Sequence, residues 1–124
     1  MQTLALLIAF IFSGIVGAQS NYEKGMQNVF ELWGTNPMEA SNLFERIAAA
    51  ETDNWLPSYY AANVLILKSF NEKDKDKLDS QLKKAQELIN DETAISKNNP
   101  EILVIQAMKN KAYVAYAGAN YGMK

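Results

Sequence analysis

The side chains in this chain that could do chemistry are carboxylates, lysines, tyrosines and a single arginine, Arg46; histidine and cysteine are absent. Their absence removes thiol nucleophiles, cysteine redox chemistry, imidazole acid-base catalysis, disulfides and the usual zinc sites. Asp74, Asp76 and Asp79 approach the alternating oxygens of a calcium loop. Such a loop needs a third ligand where Leu78 stands, then a glycine and a closing glutamate, so the segment reads as solvated charge. Glu45 and Glu51 could in principle supply a glycosidase pair, but no pattern marks either as buried. Gly118-x-x-x-Gly122 lacks the following Lys-Ser/Thr and the preceding strand of a phosphate loop. Arg46 is expected to pair with a neighbouring Glu or Asp. No catalytic set, cofactor or metal site is predicted.

Composition narrows the classes further. The chain has 124 residues, 48% of them apolar, and a net charge of −2. That length suits one domain. The charge leaves neither a basic footprint for nucleic acid nor an acidic tail. Leu4 to Val16 is an apolar run too short to span a bilayer, which takes about 20 residues, and of the length of a signal-peptide core. Val16-Gly17-Ala18 supplies small residues at a cleavage site, so residues 1–18 are predicted to be a signal peptide and Gln19 to begin the mature chain. The positive residue that normally precedes the core is missing. The competing reading is an uncleaved anchor. Cleavage predicts a periplasmic or secreted protein with no membrane attachment.

The elements that would position any site are helices. Met26, Val29, Phe30 and Trp33 form one apolar stripe on a helix from about Asn21 to Trp33. Gly34-Thr35-Asn36-Pro37 ends it. Asn36, Pro37 and Glu39 have the spacing of a cap, a first turn and a capping box. A second helix, Pro37 to Ala50, buries Ala40, Leu43, Phe44, Ile47 and Ala48. The turn Glu51 to Asn54 leads to a third, from about Leu56 to Ser69, apolar nearly all round and so covered on two sides. The charged, stripe-free stretch 71–77 reads as an insertion that lengthens a turn or the start of the fourth helix. That helix runs from about Leu78 to Asp91 or Ile95. Asn99-Pro100-Glu101 opens a fifth, which Gly118 ends. Short connections make neighbouring helices antiparallel.

One pattern occurs twice. Ala40-x-x-Leu43-Phe44, Asp53-Asn54 and Ala62 are followed by Ala85-x-x-Leu88-Ile89, Asn98-Asn99 and Ala107. The spacing is roughly 45 residues, a 34-residue repeat plus about 11 more. Each copy places a small residue and two bulky ones before a polar turn and a second helix. This predicts an all-α fold of antiparallel hairpins stacked as a short solenoid, about two and a half repeats over residues 19–124.

These residues resemble the tetratricopeptide repeat (TPR). Ala40 and Phe44 match its Ala-x3-Phe, and Tyr59, Tyr60 and Ala62 match the aromatic start and close-contact position of its next helix. Ala85, Ile89 and Ala107 match less fully, and Thr52 and Lys97 stand where the family carries a turn proline. The segment Asn54 to Ala62 and the ending Tyr121-Gly122-Met123-Lys124 are also similar to secreted bacterial TPR-like proteins of unassigned function. Such proteins run longer, and the lone fifth helix predicts a chain truncated at its C-terminal side.

The resemblance implies a non-catalytic scaffold that holds a protein or peptide on a concave face. Phasing on Ala62 and Ala107 implies that Leu56, Tyr59, Asn63 and Ile66 line that face, continued by Glu101, Val104, Met108 and Lys111. Trp55 joins them as an aromatic anchor. Trp33 and Tyr60 read instead as packing between hairpins. The expected binding set is Tyr59, Asn63, Trp55, Ile66, Met108 and Lys111. Nucleic acid is not an expected partner. A structural role in cell-envelope assembly and an enzyme subunit are the alternatives, and self-association through the terminal helix is open.

Overall fold

The structure, a computed structural model, describes residues 21–118. The expected signal peptide at 1–18 and the ending at 121–124 lie outside the described residues. Five helices run through them, with no strand: α1 at residues 21–33, α2 at Pro37–Ala50, α3 at Leu56–Ser69, α4 at Lys75–Ile95 and α5 at Pro100–Ala117.

Local chemistry sets the boundaries. Asn36 Oδ1 accepts from the Glu39 amide at 3.2 Å while its Nδ2 donates to Glu39 Oε2 at 3.1 Å, and Pro37 fills the first turn of α2. These are orphan amide donors satisfied at a helix start. Asn99 does the same for α5, accepting from the Glu101 amide at 3.0 Å ahead of Pro100. Asn98 before it sits at φ 60, the left-handed region that asparagine tolerates. Asp74 caps α4, accepting from the amides of Asp76 and Lys77 at 2.9 and 3.2 Å. The charged stretch 71–77 is thus half turn and half helix: α4 starts at Lys75, ahead of the apolar stripe that begins at Leu78.

α3 lies at the centre and packs on α2, α4 and α5; α4 and α5 also pack together. That is why α3 is buried on several sides: Ala61, Ala62, Val64 and Ile66 are all sealed from solvent. Small residues bring α2 and α3 close. Ala40 and Ser41 are buried on one helix, Ala61 and Ala62 on the other, and Ser41 Oγ donates to the Ala61 carbonyl at 3.1 Å. A hydroxyl reaches a backbone carbonyl of the next helix only when no bulky side chain intervenes.

The two ends of the core are held differently. At the first, Phe30 and Trp33 of α1 meet Phe44 of α2 and Tyr60 of α3. Phe30 sits edge-on to Tyr60 at 4.6 Å and to Phe44 at 5.2 Å, and Trp33 edge-on to Phe44 at 6.3 Å. Such geometries add to the area that the rings bury. At the second, α4 and α5 are zipped by polar pairs. Gln86 and Gln106 exchange two amide hydrogen bonds, each 2.9 Å, and the Tyr113 hydroxyl donates to Asp79 Oδ1 at 2.8 Å. Both pairs straddle Ser96 symmetrically, which fixes α4 and α5 as an antiparallel hairpin.

Candidate interaction face

Tyr59 is the residue that joins the elements of the candidate face. Its backbone closes the first turn of α3, and its hydroxyl donates to Glu101 Oε2, in the first turn of α5, at 3.2 Å. Trp55, just before α3, stands edge-on to the Tyr59 ring at 5.3 Å, and Tyr60 lies 5.2 Å away. Both Trp55 and Tyr59 are half-buried. Burial pushes the Tyr59 phenol above its ordinary 10.0, and the bond to the Glu101 carboxylate adds to that. Tyr59 is therefore a neutral donor at physiological pH.

Asn63 follows one turn along α3. Its Nδ2 donates to the Tyr59 carbonyl at 3.2 Å, so part of its amide is spent within the helix. It remains half-buried, beside the tyrosine rather than in the core. Met108 of α5 is half-buried and packs against the core cluster, and Lys111 is exposed. Trp55, Tyr59, Asn63, Met108 and Lys111 are thus all at least partly accessible.

Several expected positions fall elsewhere. Ile66 is fully buried and belongs to the core, so it offers nothing to a ligand. Ala107 is exposed, and the small buried residue of α5 is Ala112. Phasing on an alanine fails here because alanine suits either face of a helix. Ala40, Phe44, Ala62, Ala85 and Ile89 are buried. Trp33 and Tyr60 are packing residues of the aromatic cluster.

The charged candidates are accounted for in other ways. Arg46 has no ion partner among the described residues; its neighbour Glu45 instead pairs with Lys84 of α4 at 2.8 Å. Asp74 is a helix cap, and Asp79 is held by Lys75 at 2.9 Å and by Tyr113. Glu51 ends α2, its amide donating to the Ile47 carbonyl. Among the described residues no group of acidic side chains is arranged to hold a metal ion.

One buried group escaped the sequence reading. Glu92 of α4 is sealed from solvent and neither carboxyl oxygen has a hydrogen-bond partner. Burial, with a smaller push from the neighbouring Asp91, raises its carboxyl from the ordinary 4.5 to about 8. Neutral at pH 7, it is a stability feature of the α4 end, with no accessible surface for chemistry.

No family model, curated protein or solved structure matches the chain. Among the described residues no helix is long and apolar enough to cross a membrane.

Proposed function

We propose that this protein is an exported, non-catalytic interaction module of the TPR type, which holds a segment of another protein on the face shared by α3 and α5. The observation that carries the reading is the Tyr59–Glu101 bond: it bridges α3 and α5 at the surface, where Trp55, Tyr59 and Asn63 stay accessible along one line. Aromatic rings with a polar tip supply apolar area at low entropic cost, and an amide beside them can bond a peptide backbone.

The solenoid reading is supported by the order of packing. Each helix packs on its neighbour in sequence from α2 to α5, and α3 also reaches α5, one step further along. Ring contacts tie α1 to α3 in the same way. This is the pattern in which first helices of successive hairpins line one surface and second helices line the other. The Glu45–Lys84 pair, joining α2 to α4, belongs to that second surface. Export rests on the apolar run and small-residue cleavage site before residue 19. The partner is a protein or peptide, with no role for nucleic acid, cofactor or membrane after cleavage.

The test is a double substitution, Tyr59→Ala with Asn63→Ala, compared with the unmodified chain in affinity capture from the exported fraction. Loss of a captured protein with the helical fold intact is the expected result. Capture of the same partner at unchanged yield would remove the α3–α5 face from consideration.

A further inference from the structure

A cavity of about 370 Å³ lies where the C-terminal parts of α2 and α4 meet the start of α3. That volume suits a small organic group. Two carboxylates line it, Glu45 of α2 and Asp91 of α4, together with the methyls of Ala48, Ala49 and Ala94. No lysine or arginine lines it. Lys84, outside the lining, pairs with Glu45 at 2.8 Å, whereas Asp91 has no ion partner among the described residues.

Two further features point the same way. Ala48 and Ala49 sit in the last turn of α2 and Ala94 in the last turn of α4, so two helix C-termini converge on the cavity. A helix C-terminus carries partial negative charge and favours a cation, yet neither last turn holds a basic residue. The second feature is Ser58 of α3, which is only 4% exposed. Its hydroxyl has no hydrogen-bond partner among the described residues, and it keeps a little accessible surface where Ser58 lines the cavity. A hydroxyl this deeply placed normally finds a partner; here the cavity is where one would enter.

We propose that this cavity binds an alkylammonium group, a primary amine on a short aliphatic stem. The ammonium offers three donors and needs only acceptors. Asp91, Glu45 and the Ser58 hydroxyl supply them, and the alanine methyls take the methylenes of the stem. A metal ion fits less well, because two carboxylates and one hydroxyl leave most of its coordination shell unfilled and the methyl-lined space unused. A free amine and the lysine side chain of a peptide present the same group. The site uses neither Tyr59 nor Asn63, so it stands or falls separately from the function proposed above.

The experiment is an NMR titration of the full chain, read at its backbone amides, with cadaverine, with acetyl-lysine amide and with acetyl-norleucine amide as the uncharged counterpart. Both amines are expected to give saturable shifts at Ala48, Ala49 and Ala94 and none at Met108 or Lys111. The norleucine amide is expected to give none. Tighter binding of cadaverine assigns a free amine, and tighter binding of the lysine amide assigns a peptide side chain; either result supports the site. Asp91→Asn removes an exposed charge at constant shape and is expected to weaken binding about tenfold, the worth of a charged hydrogen bond. Ser58→Ala is expected to weaken it by a smaller factor, with helical circular dichroism unchanged. Glu87→Gln, at an exposed α4 carboxylate outside the lining, is expected to leave it unchanged. Equal losses from Asp91→Asn and Glu87→Gln would reduce the effect to general charge attraction and overturn the inference. Matching shifts with the norleucine amide, or no shift with either amine, would overturn it as well.

Discussion

Tyr59 and Glu101 join the first turns of α3 and α5 through a 3.2 Å hydrogen bond at the protein surface. The bond positions the tyrosine ring more than it stabilises the fold, since an exposed hydrogen bond exchanges readily with water. Tyr59→Phe is expected to cost no more than about 1 kcal/mol in urea unfolding. A loss of several kcal/mol would mean that the bond holds α5 in place, and the face would then be a structural seam.

The close approach of α2 and α3 depends on small side chains, and one pair of substitutions separates this from general tolerance. Ala62→Leu inserts bulk where Ser41 reaches the Ala61 carbonyl. It is expected to destabilise by about 1–3 kcal/mol through overpacking. Ala107→Leu makes the same chemical change at an exposed position and is expected to stay within about 0.5 kcal/mol. Denaturant midpoints of the two variants check this, and equal losses would contradict the assigned burial.

Glu92 makes stability depend on pH. Its carboxyl ionises near 4.5 in the unfolded chain and near 8 in the folded one. Between those values the folded state holds a proton that the unfolded state has released. The stability present below about pH 4.5 is therefore lost as pH rises towards 8. The slope from this one group approaches about 1.4 kcal/mol per pH unit. Glu92→Gln keeps the shape without the proton and is expected to flatten the profile and to be the more stable form at pH 8. Parallel profiles for the two proteins, measured by urea unfolding from pH 5 to 8, would show that Glu92 is not the cause.

What the sequence makes legible follows from how local the physics is. Asn36-Pro37 and Asn99-Pro100 mark the starts of α2 and α5 because capping is settled within one turn. Phe44 and Ala62 are readable as core because they sit in an apolar stripe. The start of α4 is harder: its first turn is all charge, and its one signal is Asp74 as a cap. Glu92 hides in the polar run Asn90-Asp91-Glu92, where nothing marks one carboxylate as buried. Arg46 was expected beside an acid, but the acid next to it, Glu45, pairs with Lys84 of α4 instead. Ile66 lies one turn beyond the buried Ala62 and so faces the core with it, while Ala107 is an alanine, which fits either face. Partial accessibility is legible at Trp55, Tyr59 and Asn63, where ring chemistry and helix phase agree, and less so along α5.

The most direct test of the central claim is a photo-crosslinking amino acid placed at Tyr59 in the full chain, with the same group at Lys83 on an exposed position of α4. The account predicts one discrete crosslinked partner from position 59 and none from position 83. Equal crosslinking at both positions, or a partner captured from 83 alone, would contradict the assignment of the α3–α5 face.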